Sequence, residues 1–180
     1  MGILNAHDSM VLMVDMQSAL LAAIHDADAL VARAERLLKA AQLVGVPVIA
    51  TEHCADKIGH THPLLRAQAD HVIHKTHFDA TREHHFLPEI PTGRHHVLLI
   101  GTEAHVCVLQ TGLGLARLGL KPYLVTDCIG SRQPSCHAAA CERWADNGLE
   151  RVCAEMVMFE WLVTPSHPQF RDMLALVKAG

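Results

Sequence analysis

The stretch Val97-Leu-Leu-Ile-Gly101-Thr-Glu-Ala-His-Val-Cys107-Val108 decides the fold. Its apolar start reads as a buried strand, and the spacing from Val108 to Leu118 reads as a helix. One cysteine therefore stands at the mouth of a helix, just past the end of a strand. Two other apolar runs close in the same way. Met10-Val-Leu-Met-Val14 ends in Asp15, and His71-Val-Ile-His74 ends in Lys75. In an open parallel sheet the C-terminal strand ends lie along one edge, where ligands bind. Three reactive side chains on three strand ends predict a single site.

Outward from that stretch the pattern alternates. Strands are predicted over 9–15, 46–51, 71–75, 96–102, 121–126 and 151–156. Helices are predicted over 18–44, with a break near His25-Asp26, and over 63–69, 108–118 and 135–147. A helical tail over 159–179 is interrupted around Pro165 and Pro168. Gly45, Gly119 and Gly148 stand where helices stop. The strands are near-continuous Val/Ile/Leu runs, the pattern of strands buried on both faces. Strands alternating with helices imply right-handed crossovers and a parallel sheet covered on both sides.

Composition excludes several classes. Half of the 180 residues are hydrophobic, enough for the core of one domain over 1–180. The net charge is −4 and no basic stripe occurs, so nucleic acid is not an expected partner. No apolar run reaches the roughly 18 residues of a membrane span, and the N-terminus lacks the pattern of a signal peptide. The expectation is a cytoplasmic protein. The six cysteines form no C-x-x-C pair and read mostly as reduced, small core residues. Fifteen histidines are spread over the whole chain rather than gathered in one cluster.

Each of the three reactive residues has two readings. A helix N-terminus offers free N–H groups and partial positive charge, which favour a thiolate at Cys107 and can hold an oxyanion. Cys107 can equally pack the helix onto the sheet. Asp15 at an apolar strand end suits proton transfer, or it caps the next helix. Lys75 either supplies a cation to the site or extends its head to solvent. Their common placement on one sheet edge favours the chemical reading for all three.

Val-Asp15-Met-Gln, Lys75-Thr-x-Phe-Asp and Gly101-Thr-Glu-Ala-His-Val-Cys107-Val-Leu-Gln-Thr resemble the three signature blocks of the isochorismatase-like cysteine hydrolases. Val125-Thr-Asp127-Cys-Ile-Gly-Ser131-Arg132 resembles that family's loop after strand five. The resemblance spans nearly the whole chain. It implies an Asp–Lys–Cys triad of Asp15, Lys75 and Cys107, with Cys107 attacking a carbonyl carbon to form a thioester. It also implies a cis peptide at Thr102–Glu103, so that the Glu103 and Cys107 N–H groups form an oxyanion hole. True isochorismatases of this fold do not use the cysteine, so its presence favours hydrolysis of amide bonds, as in nicotinamidases and carbamoyl hydrolases. Nicotinamidases bind a metal through an Asp-x-His-x-x-His pattern after strand two. Here that region reads Glu52-His53, then His60 and His62, so no metal and no other cofactor is expected.

The fold expected is a three-layer α/β/α domain around a six-stranded, mostly parallel, doubly wound sheet of order 3-2-1-4-5-6. The function expected is that of an amidohydrolase acting on a small molecule. Gln17, Phe78, His105, Ser131 and Arg132 are candidates to line the substrate pocket. A homo-oligomer is expected, with the apolar segment around Trp161 and Phe170 as a candidate contact. Two other readings remain open: a non-catalytic binding or scaffold protein on the same fold, and a redox-active thiol protein.

Overall fold

The computed structural model describes residues 2–179. Strand β1 (Ser9–Val14) is followed by helices α1 (Ser18–Leu21) and α2 (Ala27–Leu43), then by β2 (Val48–His53). Short helices α3 (Ala55–Ile58) and α4 (Pro63–Arg66) lead to β3 (His71–Lys75), and α5 (Phe86–Glu89) precedes β4 (His96–Thr102). The chain continues through α6 (Leu109–Arg117), β5 (Lys121–Gly130), α7 (Pro134–Asp146), β6 (Glu150–Val152), α8 (Ala154–Leu162) and α9 (Phe170–Lys178).

The sheet has six strands in the order β3-β2-β1-β4-β5-β6, and every pairing is parallel. From β1 the chain winds outward through β2 and β3, then returns to pair β4 on the other side of β1. The C-terminal ends of β1 and β4 therefore border the crevice where the winding reverses, the place where such sheets bind ligands. Val14 pairs with Thr51 on one side and Gly101 on the other, so Asp15 emerges in that crevice.

Side chains alternate across β1, which explains why this strand reads as apolar throughout. Val11 and Met13 pack with α2, α8 and α9 on one face. Met10, Leu12 and Val14 pack with α6 and α7 on the other. Each fully buried side chain of this kind contributes about 1.5–3 kcal/mol relative to exposure. Among the described residues, no helix is long and apolar enough to cross a membrane.

The structure departs from the sequence expectations in three places that bear on the site. The region after β4 does not enter α6 directly: Ala104–Val108 forms a wide π-type turn, and α6 begins at Leu109. β5 runs on to Gly130, because its pairing with β4 shifts register and resumes at Gly101↔Ile129 and Thr102↔Gly130. This brings Ser131 and Arg132 alongside the end of β4. β6 is only three residues long, and α8 starts where a strand was expected. The cap responsible is tertiary, since the Ala154 N–H donates to Asp127 Oδ1 at 2.9 Å. Trp161, expected near a subunit contact, is buried in the chain's own core, and Phe170 packs against that core.

Candidate active site

Asp15 closes β1 with a left-handed backbone, φ 50°. Few residues adopt that conformation, and aspartate is among those that do most readily. Two threonines from the flanking strands hold it. Thr51 Oγ1 donates to Asp15 Oδ1 at 2.6 Å, and Thr102 Oγ1 donates to the Asp15 carbonyl at 2.7 Å. The Asp15 N–H donates to the Thr51 carbonyl at 3.1 Å. With Oδ1 bound to Thr51, Oδ2 faces Lys75.

Lys75 closes β3. Its Nζ lies 2.7 Å from Asp15 Oδ2, and neither side chain has measurable solvent exposure. The ammonium also donates to the His77 carbonyl at 3.1 Å and reaches His53 Nδ1 at 3.5 Å. The segment bearing that carbonyl is clamped by Glu83. Its Oε1 accepts from the Thr76 N–H at 2.7 Å and the His77 N–H at 3.0 Å. Burial pushes the Glu83 carboxyl up, but the donors from His77 and Thr76 outweigh it and hold the carboxyl down at about 2.

Cys107 sits within the π-type turn, 7% exposed, beside both members of the pair. Burial pushes its thiol up to about 12, with the Asp15 charge adding to the effect and the Lys75 charge opposing it. The cysteine lies inside the turn rather than at the mouth of α6.

The Thr102–Glu103 peptide bond is cis. The Val106 and Val108 N–H groups both donate to the Glu103 carbonyl, at 3.0 and 3.3 Å, which fixes the backbone on either side of Cys107. Gly101 makes this corner possible. Its φ is 120°, and a Cβ there would collide with the Val14 carbonyl oxygen.

The five pocket candidates divide. Gln17 is fully buried, and its side-chain amide is held by backbone. Its amide donates to the His53 and Gly59 carbonyls at 3.0 and 2.6 Å and accepts from the His53 N–H at 2.7 Å, stapling β2 to the following loop. Ser131 and Arg132 hold the corner before Cys107. Ser131 Oγ lies 3.0 Å from His105 Nδ1, and Arg132 Nε lies 3.1 Å from Glu103 Oε1. Phe78 is 50% exposed and stacks on His53, with ring centroids 5.3 Å apart. That stack, His53 included, covers the Lys75 side of the site.

Sequence reasoning missed Thr51, His53 and the Glu83 clamp. Thr51 carried a usable signal, being the first polar residue after the apolar run of β2. His53 entered only through the comparison of Glu52-His53, His60 and His62 with a metal-binding pattern. In that region Glu52 is buried, accepting from Thr61 N–H and Oγ1 at 2.8 and 2.9 Å, with His60 Nδ1 at 3.0 Å. Among the described residues, no group of three or more His, Cys, Asp or Glu side chains is placed to hold a metal ion.

Residues 9–156 match the family model for the isochorismatase domain. The chain is 30% identical over 182 residues to mouse isochorismatase domain-containing protein 2B, covering 99% of this chain and 85% of that one. Among solved structures, a Caenorhabditis elegans protein described as MAR1 ribonuclease superimposes with a TM-score of 0.92 at 26% identity, covering 98% of this chain and 93% of that one. The Escherichia coli YcaC protein, described as an octameric hydrolase of unknown specificity, shares the fold with a TM-score of 0.86 at 22% identity, over 99% and 98% of the two chains. By its sequence match along nearly its full length and by its strand order, the chain belongs to the isochorismatase domain family.

Proposed function

We propose that the protein is a cysteine hydrolase that cleaves a small amide, or a related C–N bond, through a thioester on Cys107. The observation that carries this reading is the sealed Asp15–Lys75 pair beside the Cys107 thiol. A buried carboxylate and ammonium cost desolvation energy and are weak devices for stability alone. Beside a nucleophile they are a base and a fixed positive charge.

Attack begins with a neutral thiol. Asp15 takes the Sγ proton as the S–C bond forms to the substrate carbonyl carbon. Charge on the carbonyl oxygen is received by the Glu103 and Cys107 N–H groups. The intermediate collapses, the C–N bond breaks, and the leaving nitrogen takes the proton from Asp15. A water then loses its proton to Asp15 and attacks the thioester carbon. The acid departs and the proton returns to Cys107. Lys75 keeps Asp15 oriented and balances its charge in both halves. Thr51, Thr102, His53 and the His77 carbonyl fix that pair.

The nematode neighbour is described as a ribonuclease. A triad with exposures of 0% at Asp15, 2% at Lys75 and 7% at Cys107 favours a small substrate over a polymer backbone. The reading includes one domain, a cytoplasmic setting and a homo-oligomer. The exposed Met156, Phe159 and Val163, at i, i+3 and i+7 along α8 and its end, support the oligomer, as does the octameric description of the bacterial neighbour.

The test is ammonia release from a panel of small amides, ureides and carbamoyl compounds, with Cys107→Ala beside the wild type. Release by the wild type alone is expected. Equal release by both proteins removes Cys107 from the mechanism.

A further inference from the structure

Helix α6 contains two glycines that draw its neighbours close. A Cβ on Gly112 would collide with the Trp144 indole of α7, and one on Gly114 would collide with Thr81 Oγ1 and the Asp79 carboxylate. The turn at Ala80–Arg82 and helix α7 thus pack directly against the backbone of α6. Between them lies a groove of about 320 Å³. Three arginines from three elements line it: Arg82 from the turn, Arg117 from α6 and Arg143 from α7. His105 and Gln110 face the same space above an apolar floor of Leu109 and Leu113.

The charges in this groove do not balance. Asp79 is its one carboxylate, and its side chain is 5% exposed. Its Oδ1 accepts from Thr81 N–H and Oγ1 at 3.0 and 2.6 Å, while Oδ2 accepts from Arg117 Nη2 at 3.0 Å. Arg82 reaches the same Oδ2 only at 3.9 Å. The Arg143 guanidinium makes no ion pair among the described residues. One carboxylate faces three guanidinium groups, in a chain whose net charge is −4. Guanidinium forks match carboxylate and phosphate oxygens in pairs, and positive charge in a recessed site concentrates anions.

We propose that this groove binds a small oxyanion carrying two or more negative charges, a polyphosphate or a polycarboxylate. Arg82 and Arg143 supply the uncommitted guanidinium groups, and Arg117, anchored on Asp79, supplies the third. The volume lies at the small end of ligand sites and limits the occupant to a compact molecule. The groove shares His105 with the corner before Cys107, but none of Asp15, Lys75 and Cys107 lines it, and this inference stands whether or not Cys107 is a nucleophile.

The test is isothermal titration of the full chain with pyrophosphate and with citrate at matched ionic strength. The variants are Arg82→Gln/Arg143→Gln and, as a control of equal charge change at remote exposed positions on α9, Arg171→Gln/Lys178→Gln. Both groove arginines are surface-exposed and make no close hydrogen bond, so Arg82→Gln/Arg143→Gln is expected to fold as the wild type does. The expected result is saturable binding weakened about tenfold or more in Arg82→Gln/Arg143→Gln and unchanged in Arg171→Gln/Lys178→Gln. Preference for pyrophosphate assigns a phosphate-bearing ligand, and preference for citrate a polycarboxylate. Absence of heat with either anion up to about 10 mM, or equal affinity in all three proteins, overturns the proposal. A change of oligomeric mass in Arg82→Gln/Arg143→Gln without anion binding also overturns it, assigning the groove to a subunit contact.

Discussion

Lys75 Nζ stands 2.7 Å from Asp15 Oδ2, with both side chains closed to solvent. Removing either partner leaves the other charge buried and alone, which costs roughly 3–5 kcal/mol. Lys75→Met and Asp15→Asn are each expected to lower stability by that order in urea unfolding. The double variant Asp15→Asn/Lys75→Met is expected to recover part of the loss, because no lone charge remains. Strict additivity of the two single losses would show that the pair is not coupled.

The Cys107 thiol, held up at about 12 by burial and by Asp15, predicts opposite responses of two rates to one substitution. Wild-type alkylation by iodoacetamide near neutral pH is expected to be slow and to rise with pH, since the thiolate is the reactive form. Asp15→Asn removes a negative charge from beside the sulfur, so its thiolate forms more readily and alkylation is expected to speed up. Turnover in the same variant is expected to fall about 10²–10⁴-fold with the loss of the base. Joint slowing of both rates would argue against Asp15 as the group that raises the thiol.

The sequence and the structure agree where chemistry and periodicity coincide. Asp15, Lys75 and Cys107 each lie at or just past the end of a stretch that reads as a strand, so their common sheet edge was legible from the alternation of strands and helices. The resemblance supplied the cis peptide at Thr102–Glu103, which no propensity reveals. What escaped was set by tertiary contacts. The π-type turn holding Cys107 depends on Gly101 passing under the Val14 carbonyl, and the start of α8 depends on a cap from Asp127, 27 residues earlier. The bonds of the Gln17 amide to the backbone around His53 and Gly59 are likewise long-range contacts that no local pattern shows. A helix N-terminus is visible in sequence, whereas the burial that pushes the Cys107 thiol up is not.

His53 gives the site an acid limit. Burial, and then the Lys75 charge, push the imidazole below its ordinary 6.5, while Asp15 and Glu83 pull the other way and the His77 carbonyl accepts from it. A group with a depressed folded pKa binds fewer protons when folded than when unfolded. Its contribution to stability is therefore present above about 6.5 and is lost as pH falls through the folded value. Protonation would also set a second cation 3.5 Å from Lys75 Nζ. Unfolding free energy measured between about pH 5 and 8 is expected to fall toward acid in the wild type and less steeply in His53→Gln. Identical slopes would free His53 of this role.

Gly101 carries the corner between β4 and the Cys107 turn. Alanine there meets both a φ of 120° and the Val14 carbonyl oxygen. The backbone conformation alone costs of order 1–3 kcal/mol, and the collision adds to it. Gly101→Ala is expected to melt well below the wild type. Alanine at Gly148, where φ is 71° but the space is open, is expected to cost less. Equal melting temperatures for the two variants would contradict the close approach at Gly101.

The most direct test of the account is intact-protein mass spectrometry during turnover of an amide that the panel identifies, quenched in acid and followed by peptide mapping. The account predicts a mass increase equal to the acyl group of the substrate, carried on the peptide containing Cys107 and absent from Cys107→Ala. Turnover with no acyl adduct on Cys107, or an adduct on another residue, would contradict it.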